Sequence, residues 1–490
     1  MSLILAIDQS TSATKAVLFD AKGKVLDKAS RDHKQIYPQP GWVEHDAEEI
    51  WKNVLTVVGE IAKRNGPKLA KIAALSITNQ RETVLVFDRK TGMPLHHALV
   101  WQDRRGDAIC SKLMKYGPDV LQKTGLKIDT YFSASKVRWL VENKPAIAAA
   151  LKSGDAVVGT IDTYLIHRLT GGEVFATDFT NASRTLLFDI GALRWDSALC
   201  KLFKVPAGAL AEVRESSARF GETDVGGLLP KRVAIVGVMG DSQASLFAQR
   251  CYEPGTAKAT FGTGTSVMLN IGNKPRVSEK GAVTALAWVW QGKPTYAFEG
   301  LINFSAATIE WLKNQLGLIQ SAAEVEKLAL SVPDNGGVYL VPAFAGLSAP
   351  YWSPEARAAI VGMTAHTNKA HVVRAAQEAI SYQIRDVLDM MRGDAKVKLQ
   401  SLRADGGPTR NAFLMQFTAD LTGTEMMVSE VSESSAWGAA MSGLLGLGVC
   451  RSLDELAALP RAVKSFRPAM TAAEAKRLHA GWLAAVKRIL

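Results

Sequence analysis

Cysteine is scarce in this chain, which has Cys110, Cys200, Cys251 and Cys450 as its only four among 490 residues. They lie far apart, with no C-x-x-C pair and no zinc-ligand spacing. That excludes a disulfide scaffold or zinc module and points to a reduced, cytoplasmic setting with buried thiols. The N-terminus lacks a basic segment followed by a cleavage site, so no secretory signal is expected. Long apolar runs are lacking too. The uncharged stretch Ser434 to Cys450 is too short and too rich in Gly and Ser for a membrane span and is expected as a helix packed in a core. Basic blocks of five or more residues and aromatic–basic interleaving are absent as well, so no nucleic-acid surface is expected despite a formal net charge of +11. The charge reads either as excess Lys and Arg on a solvated surface or as attraction for an anionic substrate such as a nucleotide. No G-x-x-x-x-G-K-S/T sequence occurs, which disfavours a P-loop NTPase.

What the chain does have is a pattern that occurs twice. Leu3 to Asp20 and Thr256 to Asn270 each consist of an apolar run, a short Thr/Ser/Gly turn and a second apolar run. Such a hairpin presents hydroxyls and backbone N–H groups at its tip, and that tip suits phosphate. Two tips half a chain apart suggest two related domains gripping one polyphosphate. The length fits two large domains or three, and 47% hydrophobic with 21% charged residues describes an ordinary globular chain. The boundary is expected near Cys251-Tyr252-Glu253-Pro254-Gly255, giving domains 1–250 and 251–490.

Strands are expected at Leu3–Asp8, Lys15–Asp20, Val25–Ser30, Lys71–Thr78, Val84–Asp88 and Arg232–Val238. An amphipathic helix is expected from Ala47 to Arg64, capped by Asp46 with Glu49 completing a capping box. Further helices are expected near Asp103–Tyr116, Ala134–Asn143 and Ala244–Arg250. In the second half, strands are expected at Thr256–Thr260, Ser266–Ile271 and Leu399–Ala404. Helices are expected near Phe304–Leu316 and His371–Met391, and after Asn411 through Leu421. Alternating strands and helices with leading antiparallel hairpins predict α/β domains built on mixed sheets flanked by helices.

Several clusters suit group transfer. Asp8 ends a strand beside the Thr11-Ser12 turn, where a carboxylate next to phosphate suits a bridging Mg²⁺; it also reads as a plain strand terminus. Gly262-Thr263-Gly264-Thr265 combines backbone freedom with hydroxyl donors, and otherwise reads as an ordinary hairpin turn. Asp405-Gly406-Gly407 with Asn411 opens a helix, where glycines let a ring or ribose approach the backbone; the other reading is a tight strand-to-helix turn. Asp241 follows a strand and suits a base for a phosphoryl-acceptor alcohol, or a helix N-cap. Arg81 and Glu82 can hold a diol or form a surface ion pair. Trp101 and Tyr131 supply an apolar wall for a polyol or belong to a core.

These residues stand in stretches that resemble the FGGY carbohydrate kinases, and among them the glycerol kinases. The resemblance runs nearly end to end. It is carried by Ile36 to Asp46, Thr78 to Thr83, Val100 to Arg105, Thr177 to Arg184, Phe261 to Gly264, Ala349 to Trp352, Asp405 to Gly407 and Asn411 to Gln416. It implies two actin-like, ribonuclease H-like ATPase domains with ATP in the cleft between them. It implies that Thr11, Ser12, Ala13, Lys15 and Thr263 lie along the phosphates, and that Ala306, Glu310, Gly407 and Asn411 surround the adenosine end. Arg81, Glu82, Trp101, Tyr131, Ser242 and Ser266 would surround the polyol, with Asp241 as base and Asp8 and Asp241 facing Mg²⁺.

The chain departs from that family's pattern at several points. Lys15 replaces an Arg and Glu310 a Gln on the nucleotide side. Ser242 replaces the Gln after the base, and Ser266 replaces an aromatic Phe, so the acceptor pocket loses volume from its wall. The stretch Gly226 to Arg232 matches the fructose 1,6-bisphosphate loop of some bacterial relatives poorly, and that regulation is not expected. The expected activity is transfer of the ATP γ-phosphoryl group to a terminal hydroxyl of a small polyol, with glycerol to sn-glycerol 3-phosphate as the best fit. The rivals are a kinase for a tetritol, pentitol or ketopentose, and a nucleotide-switch binding protein of the actin type. ATP and Mg²⁺ are the expected cofactors. No membrane-spanning partner segment is expected, and a homodimer or homotetramer is left open.

Overall fold

The computed structural model describes residues 2–431 and 433–490. Its first half is organised by a six-stranded mixed sheet. The strands are β1 (Leu3–Gln9), β2 (Ala13–Asp20), β3 (Val25–Asp32), β4 (Ile72–Asn79), β5 (Arg219–Thr223) and β6 (Val233–Gly240). The spatial order is β3-β2-β1-β4-β6-β5. β1, β2 and β3 run as an antiparallel meander, while β4 lies parallel to both β1 and β6. β1 is buried along its whole length, as an apolar central strand covered on both faces must be.

The second half repeats this order. β7 (Thr256–Phe261), β8 (Thr265–Gly272), β9 (Val283–Trp290), β10 (Lys293–Ile302), β11 (Ser401–Asp405), β12 (Met426–Ser429) and β13 (Val463–Phe466) form a seven-stranded sheet. Its order is β9-β10-β8-β7-β11-β12-β13. β7 pairs antiparallel with β8 and parallel with β11, as β1 does with β2 and β4. The two sheets therefore share one topology, with β9 as the extra strand. The paired hairpins seen in the sequence are equivalent elements of a duplicated fold.

Helices cover both faces of each sheet. α1 (Ala47–Asn65) buries Ile50, Val54, Val57, Val58 and Ile61 against the outer face of the first sheet. Burial of that kind stabilises by about 1.5–3 kcal/mol per aliphatic side chain. α2 (Asp241–Ala248) ends the first half. α3 (Ala306–Asn314), α4 (Lys369–Ala395), α5 (Ala412–Thr422) and α6 (Ser434–Gly446) belong to the second. The long α4 covers the outer face of the second sheet through Ile380, Ile384, Val387 and Met391.

α2 and α6 lie together between the sheets. One apolar cluster joins Ile4, Val17 and Val236 of the first sheet, Met268 and Ala285 of the second, Leu246 of α2, and Met441 and Leu444 of α6. α6 is the uncharged Ser434–Cys450 stretch, and its small residues have a steric cause. A Cβ added to Gly438 would lie 1.8 Å from the Ala244 carbonyl oxygen of α2. A helix from the second half thus closes the core of the first. Among the described residues no helix is long and apolar enough to cross a membrane.

Three local expectations are corrected. Asp46 caps α1 by accepting from the Glu48 N–H, but Glu49 accepts from the Lys34 N–H instead of closing a capping box. The helix expected from Asp103 starts at Asp107, because Asp103 and Arg105 are buried in an ion cluster with Glu44 and accept or donate there. Asp241 is the first residue of α2, and Gly240 occupies the N-cap position, so Asp241 is not a cap and the helix starts before Ala244.

Candidate active site

The two hairpin tips are built alike. In the first, the Ser10 N–H and hydroxyl both reach the Ala13 carbonyl, at 2.9 and 3.0 Å, closing the turn over Thr11 and Ser12. The Thr11 carbonyl accepts from Gln35 at 2.9 Å and the Ser12 carbonyl from the His33 N–H at 3.1 Å. In the second, the Gly262 N–H reaches the Gly264 carbonyl at 2.8 Å. The Thr263 carbonyl accepts from the Ser305 and Ala307 N–H groups, and the Gly262 carbonyl from Ala306, at the start of α3. In both tips the carbonyls are engaged from behind. Among the described residues the Thr263 and Gly264 N–H groups make no backbone hydrogen bond, which is the polarity an anion needs.

Asp8 is the penultimate residue of β1, beside the first tip, and is 7% exposed. Burial pushes its carboxyl up to about 6; Lys15 opposes that rise, and the neighbouring charges of Asp241 and Glu433 add to it. Lys15 Nζ is 3.8 Å from Asp8 and 3.3 Å from Glu433, a residue of the second half that also pairs with Lys28. Among the described residues no group of three or more His, Cys, Asp or Glu is arranged to hold a metal. Mg²⁺ commonly takes only one or two carboxylates plus substrate phosphates, so the donor set fits that ion.

Arg81 and Glu82 follow β4. They are 4% and 2% exposed, so the surface ion pair is not realised. Nor are they chiefly each other's partners, being 3.9 Å apart. Arg81 donates to Glu299 through Nη2 at 2.7 Å and to Gln243 at 3.1 Å, and its Nε lies 3.1 Å from Asp241 Oδ1. Glu82 pairs with Arg184 at 2.5 Å, and Arg184 reaches Glu299 at 3.0 Å. Burial disfavours the Glu299 charge, but Arg81 and Arg184 overcome it and bring the carboxyl down to about 2. Burial dominates at Glu82 and pushes its carboxyl up. Glu82 also holds a left-handed φ of 63°, a strained conformation for a glutamate that the surrounding network enforces. Gly240 allows this arrangement, since a Cβ there would meet Arg81 Cγ at 2.7 Å.

Asp241 is the exposed member of this network, with 38% of its side chain open. Its Oδ1 accepts from the Ser242 N–H at 2.6 Å. The Trp101 and Tyr131 rings are 5.3 Å apart, and Trp101 Nε1 donates to Thr11 Oγ1 at 3.0 Å. The Trp101–Tyr131 pair is therefore tied to the first hairpin tip. Ser266, on β8, is half-buried and accepts from Lys258 Nζ at 3.3 Å.

The residues expected at the adenosine end meet in one cavity. Ala306, Glu310, Gly407 and Asn411 line a space of about 250 Å³, together with Ile309, Val325, Ile380 and Leu414. Apolar walls with a few polar groups suit a purine. Gly406 beside it has φ 99°, and a Cβ there would lie 1.9 Å from the Phe261 carbonyl oxygen, so only glycine fits. Asp405 is buried and accepts from Ser245 at 2.9 Å and Gln249 at 3.0 Å, which locks β11 to α2. Glu310 is exposed and lies 3.8 Å from Lys313.

Sequence reasoning missed Glu299, Gln243, Lys258 and Glu433 as members of the site. The signal for two of them was a charge inside an apolar strand: Glu299 in Ala297 to Leu301, and Lys258 in Thr256 to Phe261.

Paired actin-like sheets with equivalent Thr/Ser/Gly hairpins, and a buried carboxylate–guanidinium network between the halves, fit a nucleotide-dependent phosphotransferase. The model of the N-terminal domain of the FGGY family of carbohydrate kinases matches residues 3–248, and that of the C-terminal domain residues 257–447. The chain belongs to the FGGY family of carbohydrate kinases. It is 47% identical over 489 residues to glycerol kinase 1 of Thermotoga maritima, covering 99% of both chains. It is 46% identical over 487 residues to the glycerol kinase of Symbiobacterium thermophilum, covering 99% of this chain and 98% of that one. A crystal structure of Plasmodium falciparum glycerol kinase with ADP superposes with a TM-score of 0.95 at 37% identity, covering 100% of this chain and 98% of that one. Xylulose kinase from Lactobacillus acidophilus shares the fold, with a TM-score of 0.89 at 21% identity over 99% of this chain and 97% of that one.

Proposed function

We propose that this protein transfers the γ-phosphoryl group of ATP to a terminal hydroxyl of glycerol, giving sn-glycerol 3-phosphate. The observation that carries this reading is the Asp241 carboxylate, held 3.1 Å from Arg81 Nε yet open to the cleft. Full-length likeness to glycerol kinases supports the choice of acceptor.

In this reading Arg81 and Glu82 hold the two hydroxyls that do not react. The C–H face of the acceptor packs on Trp101 and Tyr131. Asp241 accepts the proton of the third hydroxyl as its oxygen bonds to the γ-phosphorus and the bond to the β-phosphate oxygen breaks. Thr11, Ser12, Ala13 and Thr263 supply hydroxyls and N–H groups along the phosphates. Lys15 faces the same phosphates from β2. Ala306, Glu310, Gly407 and Asn411 enclose the adenosine. Asp8 and Asp241 would hold Mg²⁺, which when bound neutralises charge on the phosphates. Ser242 and Ser266 leave the acceptor less tightly walled than an aromatic would.

The test is glycerol-dependent ADP release by the purified protein, with Asp241→Asn alongside. The variant is expected to lose about two to four decades of kcat with little change in the glycerol KM, as for loss of a positioned base. No ADP release with glycerol, or normal turnover by Asp241→Asn, removes this assignment.

A further inference from the structure

Beyond the acceptor network the cleft continues into a cavity of about 200 Å³. Tyr131 and Glu299 belong to both, so the two spaces adjoin. Its walls come from both halves of the chain and are mainly apolar: Leu121, Phe132, Val283, Leu301 and Trp352. At the outer end Lys127 Nζ lies 4.0 Å over the Trp352 ring, bridging the halves. Also lining the space is Arg184, which is 1% exposed and whose Nη1 has no hydrogen-bond partner among the described residues. A buried guanidinium that lines a cavity and has one donor without a partner favours a ligand oxygen on that side of the space. The walls around it call for carbon.

We propose that this cavity is a side pocket of the acceptor site and admits a glycerol that carries a short acyl chain on the oxygen remote from the reacting hydroxyl. The inference rests on the kinase reading above. The ester oxygens lie on the Arg184 side of the cavity, and the alkyl chain lies between Val283, Leu301 and Trp352. A longer polyol is a poorer occupant, because hydroxyls placed against those apolar walls would lose water without gaining partners. The chemistry is unchanged. The γ-phosphoryl group goes to the free primary hydroxyl, the hydroxyl proton goes to Asp241, ADP leaves and the ester bond stays intact.

The experiment compares kcat/KM for glycerol, 1-monobutyrin and erythritol, with the phosphorylated product identified by mass so that glycerol released by hydrolysis is not counted. Monobutyrin is expected within about tenfold of glycerol and above erythritol, the scale on which pocket contacts discriminate substrates. Val283→Phe fills the cavity from β9 and Leu121→Trp fills it from the opposite half. Each is expected to leave glycerol within about threefold and to lower monobutyrin by about thirtyfold or more. Two fillers on different elements guard against one that misfolds. No acylglycerol phosphate from the wild-type protein, a preference for erythritol, or an equal loss for glycerol and monobutyrin overturns the side pocket. Absence of turnover with glycerol itself removes the kinase reading and this inference with it.

Discussion

Replacing Asp8 by Asn should stabilise the nucleotide-free protein at neutral pH while disabling it. The carboxyl is raised from 3.8 to about 6, and its side chain is only 10% open to solvent, so solvent screening discounts little of this. A shift of that size corresponds to about 3 kcal/mol between the charged and neutral forms. The sign follows from linkage. An acid with a raised folded-state pKa binds its proton more tightly in the fold than in the unfolded chain. Below the unfolded value both states are protonated and no penalty exists. As pH rises from about 4 to about 6 the unfolded chain ionises first, so this group's contribution to stability falls, and above about 6 the loss is complete. Asparagine mimics the protonated carboxyl, so Asp8→Asn should remove this fall.

The assay is thermal unfolding of both proteins, without nucleotide, across that pH range. Asp8→Asn should match the wild type near pH 4 and exceed it by up to about 3 kcal/mol near pH 8. Loss of the Lys15 contact offsets little, because Lys15 keeps Glu433 at 3.3 Å. Added MgATP should stabilise the wild type more than the variant, since ligand that binds the native state raises apparent stability in proportion to its affinity. A variant less stable than the wild type near pH 8, or one that keeps the same pH slope, refutes the claim that Asp8 is a strained carboxylate awaiting a cation.

Other perturbations follow from the same contacts. Glu299→Gln strands Arg81 and Arg184 in a buried site and should cost about 3–5 kcal/mol, read as a lowered thermal midpoint; an unchanged midpoint would show that Glu82 and Asp241 suffice. Trp101→Phe removes the 3.0 Å bond to Thr11, worth about 1 kcal/mol; KM should rise for ATP and glycerol together, and a rise for glycerol alone would sever the wall from the phosphate tip. Gly406→Ala drives a methyl group into the Phe261 carbonyl and should abolish the thermal shift given by MgATP; a retained shift would mean that β11 relaxes freely.

The leading hairpin of each sheet was legible in the sequence because its cause is local, whereas β5, β9, β10, β12 and β13 were not expected. Alternating apolar runs broken by Thr/Ser/Gly turns mark β1–β2 and β7–β8 wherever they pack. Errors arose where distant residues override local preference. Asp103 and Arg105 look like helix residues, but Arg105 is claimed by Glu44, sixty-one positions away, and Asp103 accepts from Arg105 and from the Val43 N–H. Glu49 has the spacing of a capping box but turns to Lys34. The acceptor network was legible only by halves. Arg81 and Glu82 are adjacent in sequence, yet their strongest partners, Glu299 and Arg184, stand 218 and 102 positions away. No periodicity reports such a pairing.

The duplicated topology explains why chemistry collects where it does. The two sheets carry equivalent hairpins, so the paired Thr/Ser/Gly tips come from the repeat itself. The acceptor site has no counterpart of that kind. Arg81, Trp101 and Tyr131 lie in segments inserted around a small four-stranded sheet in the first half, whereas Glu299 comes from β10 of the second. Arg81 therefore binds a carboxylate across the domain interface, and any change in the angle between the sheets must alter that pair. Arg81–Glu299 thus ties the first half to the second, and it is the same ion pair whose removal is expected to destabilise the fold.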